Sequence, residues 1–485
     1  MMDISVFDKI LTHKGVNQRI VANTYLHILS TAHPAVLENY NLSMKGKILA
    51  SIRAKLLLAI RVFQSVFDSQ HHYVRERSVK SDVLFVSHLT NDQQLLQNND
   101  AYFGDLPNQL FQNGVNSSVV LINHTKVSKN QVLNGWVDSK VHRFILSSSL
   151  DFMSEIKSYL AQLKSKKQLR LILKDLRVDK MFAQDVLRNH LSPATFNTLR
   201  IAKQVSDIVS QTGVKFVVVT YEGHAWERLV YYWIRKVNPD IKCFGYQHSA
   251  VFEHQRAIKR PLRKEYNPDV ILTSGVVSQA LFRKIQILES DIVCLGSPKH
   301  SPTVFAPNKG QRCLVAAQGE VTECLILFGF SLNYAKQHPG QSFVWRLHPI
   351  ISFEKLKKYS AIFDRLPHNI HLSKESLEKD IEMCSSILYR GTTIVVNAIN
   401  AGLKPIYYQQ TSDELSIDPI YTHKKGKSIV HNQEELSLAL DRDIDAKTMQ
   451  SLQDFAQDFY TPLDVSALLR ELGLALDRDI NAKTL

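Results

Sequence analysis

The stretch from Phe343 to Tyr408 constrains this chain more than any other. Phe343-Val344-Trp345-Arg346-Leu347 is a short run of aromatic and branched apolar residues, the composition of a buried strand. His348-Pro349 ends it, because proline donates no ladder hydrogen bond and is not carried by a central strand. A second strand is expected from Ser386 to Tyr389, running into Arg390-Gly391-Thr392-Thr393. A helix follows, with Val395, Val396, Ile399 and Ala401 as apolar positions and Gly402 as its stop. Lys404 to Tyr408 is the next strand. Such a unit belongs to a parallel α/β sheet, where ligands bind outside the carboxyl ends of the strands. The Gly-Thr-Thr turn sets backbone N–H groups and hydroxyls at a helix N-terminus, an anion site. Arg346, His348 and Arg390 are expected beside it, so the unit reads as a nucleotide-phosphate pocket.

The same alternation begins earlier, at Asp82. Strands are expected at Asp82–Val86, Val119–Ile122, Arg143–Leu146, Lys215–Thr220, Lys242–Tyr246 and Val270–Leu272, with helical patterns between them. The fold class is therefore α/β, with two doubly wound, Rossmann-like domains. Residues 1–80 read as a helical N-terminal extension, 81–300 as the first domain and 310–460 as the second. The Pro, Gly, Ser and Lys of 299–310 mark the linker. In the tail, 461–485, Leu474 to Thr484 repeats Leu438 to Thr448 almost residue for residue. Two copies do not make a solenoid, and a local duplication explains them.

Composition narrows the partners. The 485 residues carry a formal charge of +13, yet no basic run or nucleic-acid motif accompanies it, so no nucleic acid is expected. An anionic membrane surface or phosphate-bearing substrates account for the excess equally well. Lys45 to Phe67 holds five basic residues and no acid, and its uncharged runs are too short to span a bilayer. It reads either as a helix lying on anionic lipid or as one packed on the next domain with its basic edge in water. Five scattered cysteines, never in a C-x-x-C pair, fit a reducing compartment and no structural zinc. Met1 to Lys14 has no long apolar core, so no signal peptide is expected there. The expected location is the cytoplasm, with peripheral contact on the inner face of the cytoplasmic membrane.

The strand, Gly391-Thr392-Thr393 and the helix ending Asn397-Ala398-Ile399-Asn400-Ala401-Gly402-Leu403-Lys404-Pro405 resemble the donor-nucleotide segment of GT-B glycosyltransferases. That group commonly has Glu where this chain has Asn397, and the Glu often holds the ribose of a UDP-sugar. The departure speaks against an ordinary UDP-sugar donor. His348-Pro349, followed at a distance by Ser385-Ser386, is similar to the His-Pro and Ser-rich motifs of bacterial transferases that use CMP-sugars, among them sialyltransferases and Kdo transferases. The first domain, with Phe85-Val86-Ser87-His88 and Tyr102-Phe103-Gly104-Asp105-Leu106-Pro107, also looks like surface carbohydrate biosynthesis proteins of capsule and lipopolysaccharide pathways.

The resemblance implies metal-independent transfer, no metal site and no cofactor. It implies that the acceptor and catalytic base come from the first domain. Glu222 and His224 directly follow the strongest strand of that half, and a carboxylate or imidazole there can take a hydroxyl proton; the small Gly223 between them is expected to permit close substrate approach. Glu222 is the expected base, with His224 and then Asp105 behind it. His88 and His248, at other strand ends, fall on the acceptor side. Arg346, His348, Pro349, Ser385, Ser386, Arg390, Gly391, Thr392, Thr393 and Asn397 fall on the donor side. The implied partners are a nucleotide sugar, a CMP-activated 2-keto sugar such as Kdo or a sialic-acid relative, and a surface glycan or glycolipid acceptor. Two other readings stay open: a CDP-glycerol-type polyol-phosphate transferase, and a non-catalytic protein that binds glycans or nucleotides. Serine-hydrolase and P-loop signatures are absent.

Overall fold

A computed structural model of the chain describes residues 5–30, 44–67, 72–73, 79–125, 127, 131, 134–136, 139–285, 289–301 and 310–473. The linker expected at 299–310 lies for the most part (302–309) outside the described residues, as does the second copy of the repeat. The first copy forms a helix–turn–helix joint: it closes the helix Gln433–Asp441, and Asp445 caps the helix Ala446–Phe459 through the N–H of Thr448.

Two parallel sheets organise the molecule. The first holds β1 (His72–Tyr73), β2 (Val83–Leu89), β3 (Ser117–Asn123), β4 (His142–Leu146), β5 (Phe216–Thr220), β6 (Lys242–Gln247), β7 (Val270–Thr273) and β8 (Asp291–Cys294). Their order is β1-β4-β3-β2-β5-β6-β7-β8, and only the β1–β4 pair is antiparallel. The second holds β9 (Arg312–Ala317), β10 (Phe343–Arg346), β11 (Ile370–Leu372), β12 (Cys384–Arg390), β13 (Lys404–Tyr408) and β14 (Ser428–Val430), in the order β11-β10-β9-β12-β13-β14. Both are doubly wound. In each, the chain first winds outward one way and then the other, reversing between β2 and β5 and between β9 and β12. A crevice opens at such a reversal, outside the carboxyl ends of the two strands.

Burial on both faces explains why these strands are near-continuous apolar runs. On β2, Leu84 and Val86 enter one core while Val83, Phe85 and Leu89 enter the other. On β10, Trp345 and Phe343 face one side and Val344 the other. Each such side chain contributes about 1.5–3 kcal/mol by leaving water.

The N-terminal residues do not stand apart from the first domain. Phe7, Ile10, Ile20, Val21 and Leu26 are buried in the same core as Leu169, Phe182 and Val230. Asp8 anchors them, at 3.0 Å from both Arg256 and Arg260. The other end of the chain returns to that domain as well. After the helix Ala446–Phe459, which packs on the second domain's helix Ile394–Asn400, residues 461–464 run beside β7 and β8. Ser297 N donates to Thr461 O, Thr461 N to Ser274 O and Asp464 N to Leu295 O. The helix Val465–Glu471 then places Leu468 and Leu469 in the core beneath Phe85 and Phe103. Half of what the sequence presents as a tail is therefore part of the first domain's interior. No helix among the described residues is long and apolar enough to cross a membrane.

Candidate functional site

At the first crevice, His88 from the end of β2 reaches Thr220 at the end of β5, with Nε2 3.2 Å from Oγ1. Its Nδ1 lies 2.9 Å from Nε2 of His124, the residue after β3. The rings of Tyr102 and Trp226 stand edge-on to it, at 5.2 and 5.4 Å. Burial, with the His124 ring adding to it, pushes the His88 imidazole down to about 3, so it is neutral at ordinary pH.

The loop after β5 carries Glu222, Gly223 and His224 into the helix Ala225–Val237. Glu227, buried in that helix's first turn, holds the loop: its carboxylate accepts the N–H of Glu222 at 3.0 Å, Gly223 at 2.7 Å and His224 at 2.9 Å. Gly223 has φ +86°, and a Cβ there would sit 2.4 Å from the backbone N of Ile258. The glycine thus serves close packing within the chain, and the expected room for substrate at that residue does not exist. Above this clamp, His224 Nε2 lies 3.0 Å from Glu222 Oε2, and Ser249 donates its hydroxyl to Oε1. Burial raises the Glu222 pKa, but the His224 hydrogen bond and the His248 and His224 charges outweigh it, leaving the carboxyl well below its usual range. Burial lowers His224, but its bond to Glu222 and the charge of Glu227 raise it further, to about 9. The couple is an ion pair at neutral pH.

His248 follows β6 and stands edge-on to Tyr102 at 4.7 Å, pushed down to about 4 by burial. Ser249 is followed by Ala250, which is buried with the second domain's Ile417, Ile420 and Tyr389 cluster. The Glu222 couple therefore sits one residue from the seam between the domains. Asp105 does not join it. It stands at the N-cap position of the helix Leu106–Gln112 and accepts from Asn108 at 2.7 Å. The acid that shapes this loop is the buried Asp100, which takes Ser87 Oγ and the N–H groups of Tyr102 and Phe103.

The second crevice lies outside the carboxyl ends of β9 and β12. Gly391, at φ +67°, turns the chain out of β12 so closely past Gln318 that a Cβ would lie 2.9 Å from the Gln318 amide. Gly319, beside it after β9, leaves 3.1 Å between such a Cβ and His348 Nδ1. Gln318, Gly319, His348 and Gly391 thus share the carboxyl edge of β9, β10 and β12. Thr392 and Thr393 lead into the two-turn helix, Thr392 nearly buried and Thr393 half-exposed. His348 is held below its usual pKa by burial, which leaves a neutral imidazole. Pro349 is exposed beside it.

The geometry corrects the donor-side expectations for Arg390, Arg346, Ser385 and Ser386. Arg390 is fully buried and its guanidinium is spent inside the domain, on Glu323, on Glu414 at 3.0 Å and on the carbonyl of Tyr408 at 3.2 Å. Arg346 is committed to Asp380 at 2.6 Å and to the Glu375 carbonyl. Ser385 and Ser386 open β12, at the opposite end of the strand from Gly391, and Ser386 is buried in register with Cys313 and Lys404. Asn397 lines a small crevice with Lys299, His300 and Gln457, where the chain crosses between the domains.

Sequence reasoning assigned no role to His124, Thr220, Trp226, Ser249, Gln318 or Gly319. Apart from Trp226, each ends a strand or follows one within two residues, and that rule, applied to every strand, would have collected them. Among the described residues no group of three or more His, Cys, Asp or Glu is arranged to hold a metal ion.

No family model matches the chain, and no curated protein matches it in sequence. Solved structures similar to it in layout include UDP-GlcNAc 2-epimerase from Methanocaldococcus jannaschii, 12% identical with a TM-score of 0.46, covering 81% of this chain and 100% of that one. The calicheamicin glycosyltransferase CalG4 is 13% identical with a TM-score of 0.46, over 78% and 94%. MurG from Acinetobacter baumannii is 12% identical with a TM-score of 0.41, over 81% and 98%. Likeness at this level assigns neither activity nor substrate; what the chain does has to be argued from its two crevices.

Proposed function

We propose that this chain is a glycosyltransferase that moves a sugar from a nucleotide donor in the second crevice to an acceptor hydroxyl in the first. The observation that carries this reading is the Glu222–His224 couple, clamped by Glu227 and set beside the interdomain seam through Ser249 and Ala250. The carboxylate is ionised and its Oε1 already accepts one hydroxyl, that of Ser249. An acceptor hydroxyl displacing Ser249 would meet a proton acceptor, and proton removal in step with attack is what glycosyl transfer requires. The adjacent imidazolium of His224 supplies positive charge at the same edge for the leaving phosphate.

On the donor side the reading rests on His348, Gly391, Thr392 and Thr393, now joined by Gln318 and Gly319. Small residues at a strand-to-helix turn let backbone N–H groups approach a phosphate. The finer reading, a CMP-activated 2-keto sugar passed to a surface glycan or glycolipid, keeps the support of His348-Pro349 but loses that of Ser385-Ser386. A glycolipid acceptor fits a peripheral position on the inner face of a membrane. Thermal shift with CMP, UDP and CDP-glycerol tests the donor, and release of sugar from the stabilising donor without acceptor tests turnover. If none of the three nucleotides raises the melting temperature, the donor crevice is misassigned.

A further inference from the structure

Two neighbouring helices of the first domain leave a large apolar surface uncovered. Along Met44–Phe67, Ile52, Leu56 and Ile60 recur at four-residue spacing and are 59%, 60% and 43% exposed. On Phe152–Asp175, Met153 and Leu160 are 56% and 59% exposed. Between the helices runs an apolar groove, lined by Ala59, Val62 and Val66 from the first and Phe152, Ile156 and Leu160 from the second. Surfaces of this extent on soluble domains mark sites of interaction. The helix Met44–Phe67 is thus both packed and exposed: Ser65 is buried and Arg61 reaches Asn197, yet the outer stripe meets solvent.

Charge decides the occupant. Lys45 to Phe67 carries five basic residues and no acid. Beyond Leu160, Lys164, Lys167 and Arg170 are exposed on the second helix. Of the acids of that helix, Glu155 is buried with Arg200 at 2.9 Å, and Asp175 is exposed at the far end, 3.0 Å from His13. Exposed leucines and isoleucines beside the exposed Arg53, Lys164, Lys167 and Arg170 complement an anionic lipid surface, which takes apolar side chains into its acyl boundary and basic ones at its headgroups.

We infer that the face formed by these two helices docks on an anionic bilayer, with Ile52, Leu56 and Leu160 inserted and Lys164, Lys167 and Arg170 at the headgroups. The inference stands on the surface alone and is independent of the transferase reading. The full chain is mixed with vesicles of phosphatidylcholine plus phosphatidylglycerol, or of phosphatidylcholine alone, and bound protein is measured by flotation. Binding to the anionic vesicles is expected, weakened by salt. Ile52→Asp/Leu160→Asp should lower partitioning by about a hundredfold or more, the worth of losing two buried aliphatic side chains. Lys164→Glu/Lys167→Glu should lower it by about fivefold per charge, the scale of one basic residue at such a surface. All four sites are exposed, so unchanged circular dichroism and melting temperature confirm folding. No binding to anionic vesicles overturns the inference, as does binding that both variants leave intact. Wild-type dimers that become monomers in Ile52→Asp/Leu160→Asp, with no vesicle binding by either, would assign the face to self-association and overturn it too.

Discussion

Arg390 was expected to meet phosphate, and its surroundings instead make it a fastener, which can be tested by removing it. In Arg390→Met the side chain keeps its length and apolar stem but loses the guanidinium. Glu323, 1% exposed, and Glu414, 11% exposed, then face each other across a site without their cation. Burial raises the Glu323 pKa, and Arg390 is what opposes that rise. Breaking one partner out of a buried ionic set costs about 3–5 kcal/mol, because charge is left uncompensated. A domain of this size shifts its midpoint by roughly 2–4 °C per kcal/mol, so a fall of about 6–20 °C is expected in thermal unfolding. The triple change Arg390→Met/Glu323→Gln/Glu414→Gln removes all three charges together and should recover most of the loss, since neutral sets of similar volume are tolerated where broken pairs are not. Calorimetry on the three proteins decides the stability argument, and nucleotide titration of the folded fraction decides the functional one. If Arg390→Met melts within about 1 °C of wild type and loses nucleotide affinity, the fastener argument is refuted and Arg390 belongs to the ligand.

Glu222→Gln should bind nucleotide normally and lose about 10²–10⁴ in turnover, the usual worth of a general base, in a steady-state assay; near wild-type rates would move the base elsewhere. His348→Ala should weaken nucleotide binding by roughly 1–3 kcal/mol by titration calorimetry, the scale of a hydrogen bond to a charged group. His224 sits at about 9 against a free value of 6.5, so its pairing stabilises the fold fully below 6.5 and is lost as pH rises through 9. Glu222, held down, contributes above 4.5 and loses its share as pH falls through its depressed value. The melting-temperature gap between wild type and His224→Ala should therefore be widest between 4.5 and 6.5 and close toward alkaline pH; a gap independent of pH would contradict the ion pair.

What the sequence made legible was local. Runs such as Lys215–Thr220 announce a strand by composition, and the residues after them inherit the carboxyl edge, which is how Glu222, His224, His248 and His348 were found. What it hid was convergence. Nothing near Arg390 says that Glu323, 67 positions earlier, and Glu414, 24 later, close on its guanidinium. Ser385-Ser386 was placed by likeness to a motif, while the strand's own direction sets those hydroxyls at the far edge from the crevice. Gly223 looked like open space beside a reacting group; only the tertiary approach of Ala257 and Ile258 reveals that the space is filled by backbone.

The return of the chain to the first domain has a consequence for synthesis. Domains ordinarily fold in the order they leave the ribosome, N-terminal first. Here Leu468 and Leu469 fill the core under Phe85 and Phe103, and they emerge only after every strand of the second sheet. The domain begun first is thus the one finished last, and the later one is complete while its elder still lacks a wall. During that interval the apolar face around Phe85 and Leu110 is open to water, a window in which a nascent chain of this design would depend most on chaperones.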